Sequence, residues 1–230
     1  MAKKKSKTTK TSQNKHKIVI VDDHPIIRQG LAELINQEDD LVVCGQAEDA
    51  HQAMKTISKQ EPVLIVVDVS LKDSNGIELI KDIKVQHPDT TVLVLSMHDE
   101  SVYAERALRA GANGYIMKQE ASEKIIQAIR MVLDGQVYLS DKMAANVMNK
   151  LVGAKTDAGV SAIDRLSDRE LEVFTLLGQG RGTRQIAQKL HLSIKTIETY
   201  RAHIKEKLNL ADATELLQHA IQWVNNSDNG

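Results

Sequence analysis

Short apolar runs alternate with segments of helical periodicity over residues 17–135 of the chain. The central run, 63–67, follows Pro62, consists only of Val, Leu and Ile, and stops at Asp68. A short, continuously apolar run behind a helix breaker is typical of a strand that is buried on both faces of a parallel sheet. The same pattern predicts five strands in all, at 18–21, 41–44, 63–67, 92–95 and 115–117.

Helical periodicity fills the intervals between these strands. Pro25 suits the first turn of a helix, because its ring fixes φ near the helical value. Gly135 ends the last amphipathic pattern. Strands that alternate with helices indicate βαβ units, and therefore an α/β domain with a parallel sheet. Three further helices are predicted within this domain, at 50–59, 77–85 and 101–109.

The pattern changes between residues 136 and 160. A helix is predicted at 141–151, with Ser140 or Asp141 as its cap. The residues of 153–161 are small and polar, which is typical of a flexible linker. A mobile tether would let two domains separate or dock.

From residue 161 to residue 230 the periodicity is helical throughout. Ser167 and Glu170 have the spacing of a capping box, and Thr183 is expected to cap a short helix. Two helices joined by a tight turn suggest a helix-turn-helix within a small all-α domain. The two longer helices of this domain are predicted at 194–208 and 212–224.

Composition narrows the class of protein. The chain has 230 residues, 42% of them hydrophobic, a formal net charge of -1 and a single cysteine, Cys44. Its apolar runs are far shorter than the roughly 18 residues of a membrane span, so we expect a cytoplasmic protein with no membrane partner. Residues 1–16 are rich in lysine, contain no acidic residue, and are predicted to form a disordered basic tail.

Polar residues stand where several predicted strands end. Asp22 and Asp23 follow the first strand, Asp68 the third, Ser96 the fourth and Lys118 the fifth. The carboxyl ends of parallel strands share one edge of the sheet, where ligands bind. Three acids together favour a hard divalent cation, and Mg²⁺ fits best. A lysine and a hydroxyl beside it would complete a site for a phosphoryl group. Ordinary capping of strand ends is the alternative interpretation.

At these residues, the span 17–135 resembles the receiver domain of bacterial two-component response regulators. The resemblance implies a flavodoxin-like, doubly wound, five-stranded parallel sheet. It implies that Asp68 accepts the phosphoryl group, that Lys118 and Ser96 assist, and that Ser96 and Tyr115 form the switch. It also implies Mg²⁺ as the cofactor, and Gly76 falls at the family's loop glycine. The implied metal ligands are Asp22, Asp23, Asp68 and the backbone carbonyl of Ser70.

The chain departs from the receiver pattern at two positions where the family commonly has proline. These positions hold Lys72 and Gln119. The second bears on whether the Lys118–Gln119 peptide is cis, because a cis bond before a residue other than proline costs about 2.5 to 4 kcal/mol. Neither departure removes a chemical group from the site.

The helix 194–208 has an apolar side, and its opposite side carries short and polar groups. Small residues there would allow close approach to base edges in the major groove, as in a recognition helix. Nearby basic residues would meet phosphates. A solvated amphipathic helix is the alternative, and the near balance of acids and bases does not reject it. The predicted DNA contacts are Arg184, Lys195, Thr196, Glu198, Thr199, Arg201, Ala202 and Lys205.

The span 161–224 resembles the LuxR-type helix-turn-helix, and the order of the domains is that of the NarL/FixJ class of regulators. The resemblance implies a phosphorylation-activated bacterial transcription regulator, with a sensor histidine kinase and double-stranded DNA as partners. The receiver would either mask the recognition helix or block pairing until it is phosphorylated. The last helix commonly pairs protomers of an active homodimer in this family, and the candidate face is Leu216, Leu217, Ala220 and Ile221.

Two other functions compete with this one. A phosphatase or phosphotransferase of the haloacid-dehalogenase type would also use a strand-end Asp with Mg²⁺. Such an enzyme usually has a second Asp two residues later, and this chain has Ser70 at that position. A regulator that ignores phosphate would respond to a partner or ligand instead. The intact acid site argues against that interpretation. We therefore expect no enzyme activity beyond the receiver's own phosphorylation and dephosphorylation.

Overall fold

Five parallel strands form the central sheet of the first domain. The structure is a computed structural model that describes residues 15–71, 74–97, 100–145 and 162–228. The strands are β1 (His16–Val21), β2 (Leu41–Ala47), β3 (Leu64–Val67), β6 (Thr91–Ser96) and β7 (Gly114–Met117). They are paired in the order β2-β1-β3-β6-β7, all parallel. This order is that of the flavodoxin-like doubly wound fold, so the predicted fold class is confirmed.

Helices cover both faces of this sheet. They are α1 (Pro25–Asn36), α2 (Ala50–Gln60), α3 (Gly76–Gln86), α4 (Glu100–Arg109) and α5 (Ala121–Leu133). Both faces need a cover because the strands are apolar on both sides: Ile18 and Ile20 of β1 face one apolar cluster, and Val19 and Val21 face the other. The first cluster includes residues of α1 and α5, and the second includes residues of α2, α3 and α4.

A small antiparallel hairpin follows β3 and was not predicted from the sequence. It consists of β4 (Ser70–Leu71) and β5 (Ser74–Asn75). Asn75 then caps α3, because its side chain accepts a hydrogen bond from the N–H of Ile77 at 2.8 Å. The hairpin therefore carries the chain directly from Asp68 to the start of α3.

The boundaries differ from the predicted ones in a few places. β1 begins at His16, inside the predicted tail 1–16, and residues 1–14 lie outside the described residues. Of the predicted helix 141–151, the structure describes 141–145, here α6, while the predicted linker 153–161 lies outside the described residues. Ser140 caps α6, since the N–H of Met143 donates to its hydroxyl at 3.1 Å.

The second domain is all helical, as predicted. After a 3-10 turn (Ala162–Arg165) come α7 (Asp168–Gly178), α8 (Thr183–Lys189), α9 (Ile194–Leu208) and α10 (Ala213–Asp228). The capping box of Ser167 and Glu170 is present at the start of α7. Thr183 is not a cap: it is the first residue of α8, and Gly182 holds the capping position. No helix within the described ranges is long and apolar enough to cross a membrane.

Helices α7 and α10 cross closely at Gly178. A Cβ atom at Gly178 would lie 2.4 Å from the carbonyl oxygen of Ala220 and 2.5 Å from a methyl group of Val224. Both distances are well below van der Waals contact, and one of the two atoms belongs to the backbone. The crossing therefore requires glycine at this position.

We expect Gly178→Ala to lower the free energy of unfolding by about 1 to 3 kcal/mol, because the added methyl group overpacks the crossing. Gly30→Ala is the matched control. Gly30 lies inside α1, and a Cβ atom there would meet nothing within 4 Å apart from its chain neighbours and the nearby backbone of its own helix, so alanine should raise stability by about 0.5 to 1 kcal/mol. Denaturant unfolding measures both. An unchanged or increased stability of Gly178→Ala would contradict the close crossing.

Candidate functional site

Two buried carboxylates and a buried ammonium group meet at the carboxyl edge of the sheet. Asp22 follows β1 and Asp68 follows β3, and these neighbouring strands continue their pairing through the N–H of Asp68, which donates to the carbonyl of Val21 at 2.8 Å. Lys118 follows β7. Its Nζ lies 2.6 Å from Oδ2 of Asp22 and 2.7 Å from Oδ2 of Asp68. The side chains of Asp22, Asp68 and Lys118 are 1%, 3% and 4% exposed.

Asp23 and His24 extend this cluster toward solvent. The Nδ1 atom of His24 lies 3.1 Å from Oδ1 of Asp22 and 2.6 Å from Oδ1 of Asp23. Sequence reasoning missed His24, because a histidine directly after two acids has no spacing that distinguishes it from a surface residue. The structure brings the imidazole onto both carboxylates, and the backbone N–H of His24 also donates to Oδ1 of Asp22 at 2.8 Å.

The acidic cluster could hold a metal ion. Ligand atoms from Asp22, Asp23, His24 and Asp68 all lie within 4.8 Å of one another. Two buried oxygens, Oδ2 of Asp22 and Oδ1 of Asp23, face Lys118 and His24 but accept no well-aligned hydrogen bond from the described residues. Buried oxygens of this kind fit a hard divalent cation, which takes oxygen ligands.

Two backbone contacts fix the loops that carry the acids. The guanidinium group of Arg28 donates to the backbone carbonyl of Asp22. The N–H of Ser70 donates to Oδ1 of Asp68 at 3.3 Å. On the other side, a Cβ atom at Gly76 would lie 2.0 Å from the carbonyl oxygen of Asp68. Only glycine permits this approach, so Gly76 lets α3 begin directly against the loop of Asp68.

Burial dominates the electrostatics of Asp68. Removal from water raises the pKa of its carboxyl to about 7, the charge of Asp22 adds to the rise, and Lys118 opposes it. Burial by itself would lower the pKa of Lys118, but the charges of Asp68 and Asp22 outweigh that effect and raise it. Lys118 therefore keeps its positive charge beside Asp68. That charge can stabilise the ionised carboxylate or a phosphoryl group attached to it.

Ser96 and Tyr115 lie side by side within the sheet. Both are fully buried, and a side-chain hydrogen bond joins them. Burial raises the pKa of Tyr115 well above its usual value. The structure thus pairs the two residues that the family resemblance assigned to the switch, on the neighbouring strands β6 and β7.

One of the two departures from the receiver pattern, Gln119, lies in the described part of the chain. The described residues contain no cis peptide bond, so the Lys118–Gln119 bond is trans and begins a 3-10 turn (Lys118–Glu120). Lys72 lies outside the described residues.

The outer side of α9 is open to solvent. Lys195, Glu198, Thr199 and Ala202 are exposed, as is Arg184 on α8. The receiver therefore leaves these predicted DNA contacts uncovered. The remaining three predicted contacts are partly buried: Thr196, Arg201 and Lys205.

Several of these side chains already have partners. Arg201 donates to the hydroxyl of Thr183 and lies 3.3 Å from Oε1 of Glu198. The hydroxyl of Thr199 donates to the carbonyl of Lys195 at 3.0 Å, within its own helix. Arg201 and Glu198 must exchange these contacts for phosphate or base contacts if they bind DNA.

The predicted dimer face is only half exposed. Leu216 and Ala220 are 1% and 0% exposed, because they pack inside the domain, where α10 crosses α7. Leu217 and Ile221 are 40% and 37% exposed. The prediction is thus wrong for the first pair, whose side chains are core residues, and only the second pair remains available for a partner.

Comparison with known proteins identifies both halves of the chain. Residues 18–130 match the response regulator receiver domain, and residues 164–220 match the luxR family of bacterial regulatory proteins. The oxygen regulatory protein NreC of Staphylococcus carnosus is 36% identical over 210 residues, which cover 90% of this chain and 97% of NreC. The NreC protein of Staphylococcus epidermidis is also 36% identical, over 211 residues.

Solved structures give the same result. RcsB from Salmonella enterica serovar Typhimurium, bound to the promoter P1flhDC in the presence of the phosphomimetic BeF3-, has a TM-score of 0.60 at 27% identity. The match covers 90% of this chain and 98% of that one. Another RcsB structure, from Salmonella typhimurium, has a TM-score of 0.64 at 27% identity and covers 91% of this chain. The chain therefore belongs to the NarL/FixJ class of response regulators, in which a receiver domain is joined to a LuxR-type DNA-binding domain.

Proposed function

We propose that transfer of a phosphoryl group from a sensor histidine kinase to Asp68 switches DNA binding by this regulator. The observation that carries the proposal is the buried contact of Lys118 with both Asp22 and Asp68 at the carboxyl edge of the sheet. A carboxylate, a fixed cation and a cluster of further acids are the groups that phosphoryl transfer to an aspartate requires.

The carboxylate of Asp68 is the nucleophile. One of its oxygens bonds to phosphorus while the P–N bond of the kinase phosphohistidine breaks, and the imidazole leaves with that electron pair. Lys118 stays beside the new acyl phosphate and neutralises its oxygens. The N–H of Ser70 holds the second oxygen of Asp68, which orients the carboxylate for attack. The chain performs no chemistry beyond its own phosphorylation and dephosphorylation.

The cofactor that suits this site is Mg²⁺. It would be held by Asp22, Asp23 and Asp68 together with the backbone carbonyl of Ser70, and it would neutralise charge on the carboxylates and on the phosphoryl oxygens. The buried oxygens of Asp22 and Asp23 that accept no well-aligned hydrogen bond from the described residues support this assignment.

Ser96 and Tyr115 read the phosphoryl group. Phosphorylation adds negative charge and new acceptor oxygens, which draw the hydroxyl of Ser96 toward Asp68. That movement breaks the hydrogen bond that now joins Ser96 to Tyr115. The tyrosine ring is then free to repack, and the surface formed by α4 and β7 changes with it.

The output is binding of a homodimer to double-stranded DNA. RcsB, a relative of known structure, has been solved bound to promoters. In this chain the exposed side of α9 is the surface for the major groove, and Leu217 and Ile221 are the residues left for pairing. A protein that acts on the bacterial chromosome works in the cytoplasm. Two-fold symmetry of the dimer favours operators with two symmetric half-sites.

Labelling with radioactive acetyl phosphate tests the phosphoryl acceptor. We expect the wild-type protein to retain one phosphoryl group in the presence of Mg²⁺, and we expect neither Asp68→Asn nor wild-type protein in EDTA to label. Asp82→Asn, at an exposed position on α3, is the matched control and should label like the wild type. Labelling of Asp68→Asn would refute the assignment. Continuous release of phosphate without retention would indicate a phosphatase instead.

The pH dependence of the free energy of unfolding tests the effect of burial on the carboxyl group of Asp68. The pKa of Asp68 rises from its usual value of 3.8 to about 7 in the folded protein. The carboxyl group of Asp68 therefore binds its proton more tightly in the folded state than in the unfolded state. Ionisation of Asp68 therefore lowers the free energy of unfolding as the pH rises from about 4 to about 7.

Asp68→Asn removes that cost. We expect the variant to be more stable than the wild type at pH 8, by on the order of 1 to 4 kcal/mol, and to differ little at pH 4. Saturating Mg²⁺ should shrink the difference at pH 8, because it binds the native wild type. Thermal unfolding without metal and with Mg²⁺ measures both effects. Lower stability of Asp68→Asn at pH 8 would contradict the argument.

The recognition helix is tested by the salt dependence and the sequence preference of binding. Lys195→Ala should reduce the salt slope by about 0.9, if one phosphate contact is lost. Lys124→Ala, which removes the same charge from an exposed position on α5, should leave the slope unchanged. Replacement of Glu198 and Thr199 should alter the preferred sequence in a randomised half-site library, by about 1 to 3 kcal/mol per bidentate contact. If the preferred sequence did not change, the assignment of this side of α9 to the major groove would be wrong.

A further inference from the structure

An acidic side chain stands in the middle of the surface that we assign to the major groove. Glu198 lies on the outer side of α9, and 55% of its side chain is exposed. Lys195, one turn earlier, and Ala202, one turn later, lie on the same face of the helix and are also exposed. DNA presents a dense row of phosphate charges, which repel a carboxylate. Glu198 therefore weakens binding to every DNA sequence unless a group on the DNA compensates for it.

In the free protein, Arg201 compensates for this charge. Its Nη1 lies 3.3 Å from Oε1 of Glu198 and also donates to the hydroxyl of Thr183, at the start of α8. The side chain of Arg201 is 23% exposed, so water reaches both members of the pair. Ion pairs that are open to water contribute little to stability. The pair can therefore be given up when DNA approaches.

A carboxylate that gives up its arginine needs another partner inside the groove. It has acceptor atoms only, so this partner must be a hydrogen-bond donor. Contact between the helix and the base edges removes water, and a charged group that loses water without gaining a partner is strongly unfavourable. The base opposite Glu198 must therefore offer a donor.

The four bases differ in what they present in the major groove. Cytosine presents the amino group N4 as a donor, and adenine presents the amino group N6. Guanine presents the acceptors N7 and O6, and thymine presents the acceptor O4 beside its methyl group. Guanine and thymine would place acceptor atoms against the carboxylate of Glu198, so both are excluded at this position.

Cytosine fits the carboxylate better than adenine does. The N6 donor of adenine lies beside N7, an acceptor, and this pair suits the amide of Asn or Gln, which has both a donor and an acceptor. A carboxylate would set one of its oxygens against N7. The N4 donor of cytosine has no acceptor of the same base beside it in the major groove. Acceptance from N4 is the contact that Glu and Asp make in such grooves.

We propose that Glu198 selects a C·G pair within each half-site, by accepting a hydrogen bond from the amino group N4 of cytosine. The selection rests on the proposed binding of α9 in the major groove, and it names the base that this surface reads. Glu198 exchanges Arg201 for the cytosine, and Arg201 exchanges Glu198 for a phosphate. Glu198 thus determines sequence specificity, whereas Arg201 contributes a charge that is independent of sequence.

The experiment uses the full-length protein, incubated with acetyl phosphate and Mg²⁺. Wild type and Glu198→Ala each select duplexes from a randomised half-site library, and the comparison identifies the base pair at which their preferences differ. Fluorescence anisotropy then measures Kd for four duplexes that differ only at this base pair. Glu206→Ala is the matched control, because Glu206 is another exposed acid on α9, about two turns further along.

We expect the wild type to prefer cytosine at this position over guanine or thymine by about 5-fold to 150-fold, the range that one base contact usually supplies. Glu198→Ala should bind the four duplexes with equal affinity, and Glu206→Ala should keep the preference of the wild type.

Glu198→Gln is the sharper variant. It keeps the length of the side chain but replaces one acceptor oxygen with an amino group. The amide can donate to N7 of adenine and accept from N6. We therefore expect the preferred base to change from cytosine to adenine. Retention of cytosine by Glu198→Gln would contradict the contact with N4.

Arg201→Ala tests the exchange of partners. A phosphate contact carries no sequence information, so this variant should bind all four duplexes more weakly by the same factor and should keep the preference for cytosine. If the preference disappeared in Arg201→Ala, the two residues would read the base as a pair, and the exchange would be wrong.

Three further results decide the selection of cytosine. A wild-type preference for guanine, thymine or adenine at the position altered in Glu198→Ala would overturn it. Tighter binding of Glu198→Ala to all four duplexes, with no change of preference, would also overturn it and would make Glu198 an ordinary solvated acid. If the wild type enriched no sequence at all, the proposed DNA binding would fail together with the selection, and this outcome is distinct from an unaltered preference.

Discussion

The contact of Lys118 with two buried carboxylates is the constraint on which the receiver domain depends. Three charged groups are removed from water at one edge of the sheet, and such an arrangement is stable only where each charge faces an opposite one. The strand order achieves this, since it sets the end of β1 beside that of β3. Arg28 and Gly76 then hold the loops of Asp22 and Asp68 close enough for one lysine to serve both.

The same burial makes the site sensitive to added charge. Asp68 is poised between its neutral and ionised forms, because burial opposes ionisation while Lys118 favours it. A phosphoryl group placed on this carboxylate changes both charge and shape where the surrounding atoms have little room to adjust. The hairpin after β3 lies beside this carboxylate, since the N–H of Ser70 donates to Oδ1 of Asp68. The same hairpin contacts α7, where the amide of Asn75 donates to Glu172 and Arg169 donates to the carbonyl of Ser74.

The interface between the domains is partly apolar and partly charged. It combines apolar side chains of one continuous buried cluster with contacts to charged groups, such as Arg106 with Asp168 and Arg169 with the hairpin. Arg106 and Asp168 are largely buried, so removal of one partner would leave an uncompensated charge at this interface. The outer side of α9 lies away from these contacts and is exposed.

The sequence by itself determined the α/β architecture and the position of its chemical groups, because apolar runs and helical periodicity are local patterns and parallel strands share one edge for their carboxyl ends. Asp22, Asp68 and Lys118 could be predicted together for that reason. His24, the hairpin and the contacts of Arg106 could not, since they depend on how segments far apart in sequence pack. Leu216 and Ala220 show the same limit: their spacing marks an apolar face, and only the crossing of α10 with α7 decided that this face is core.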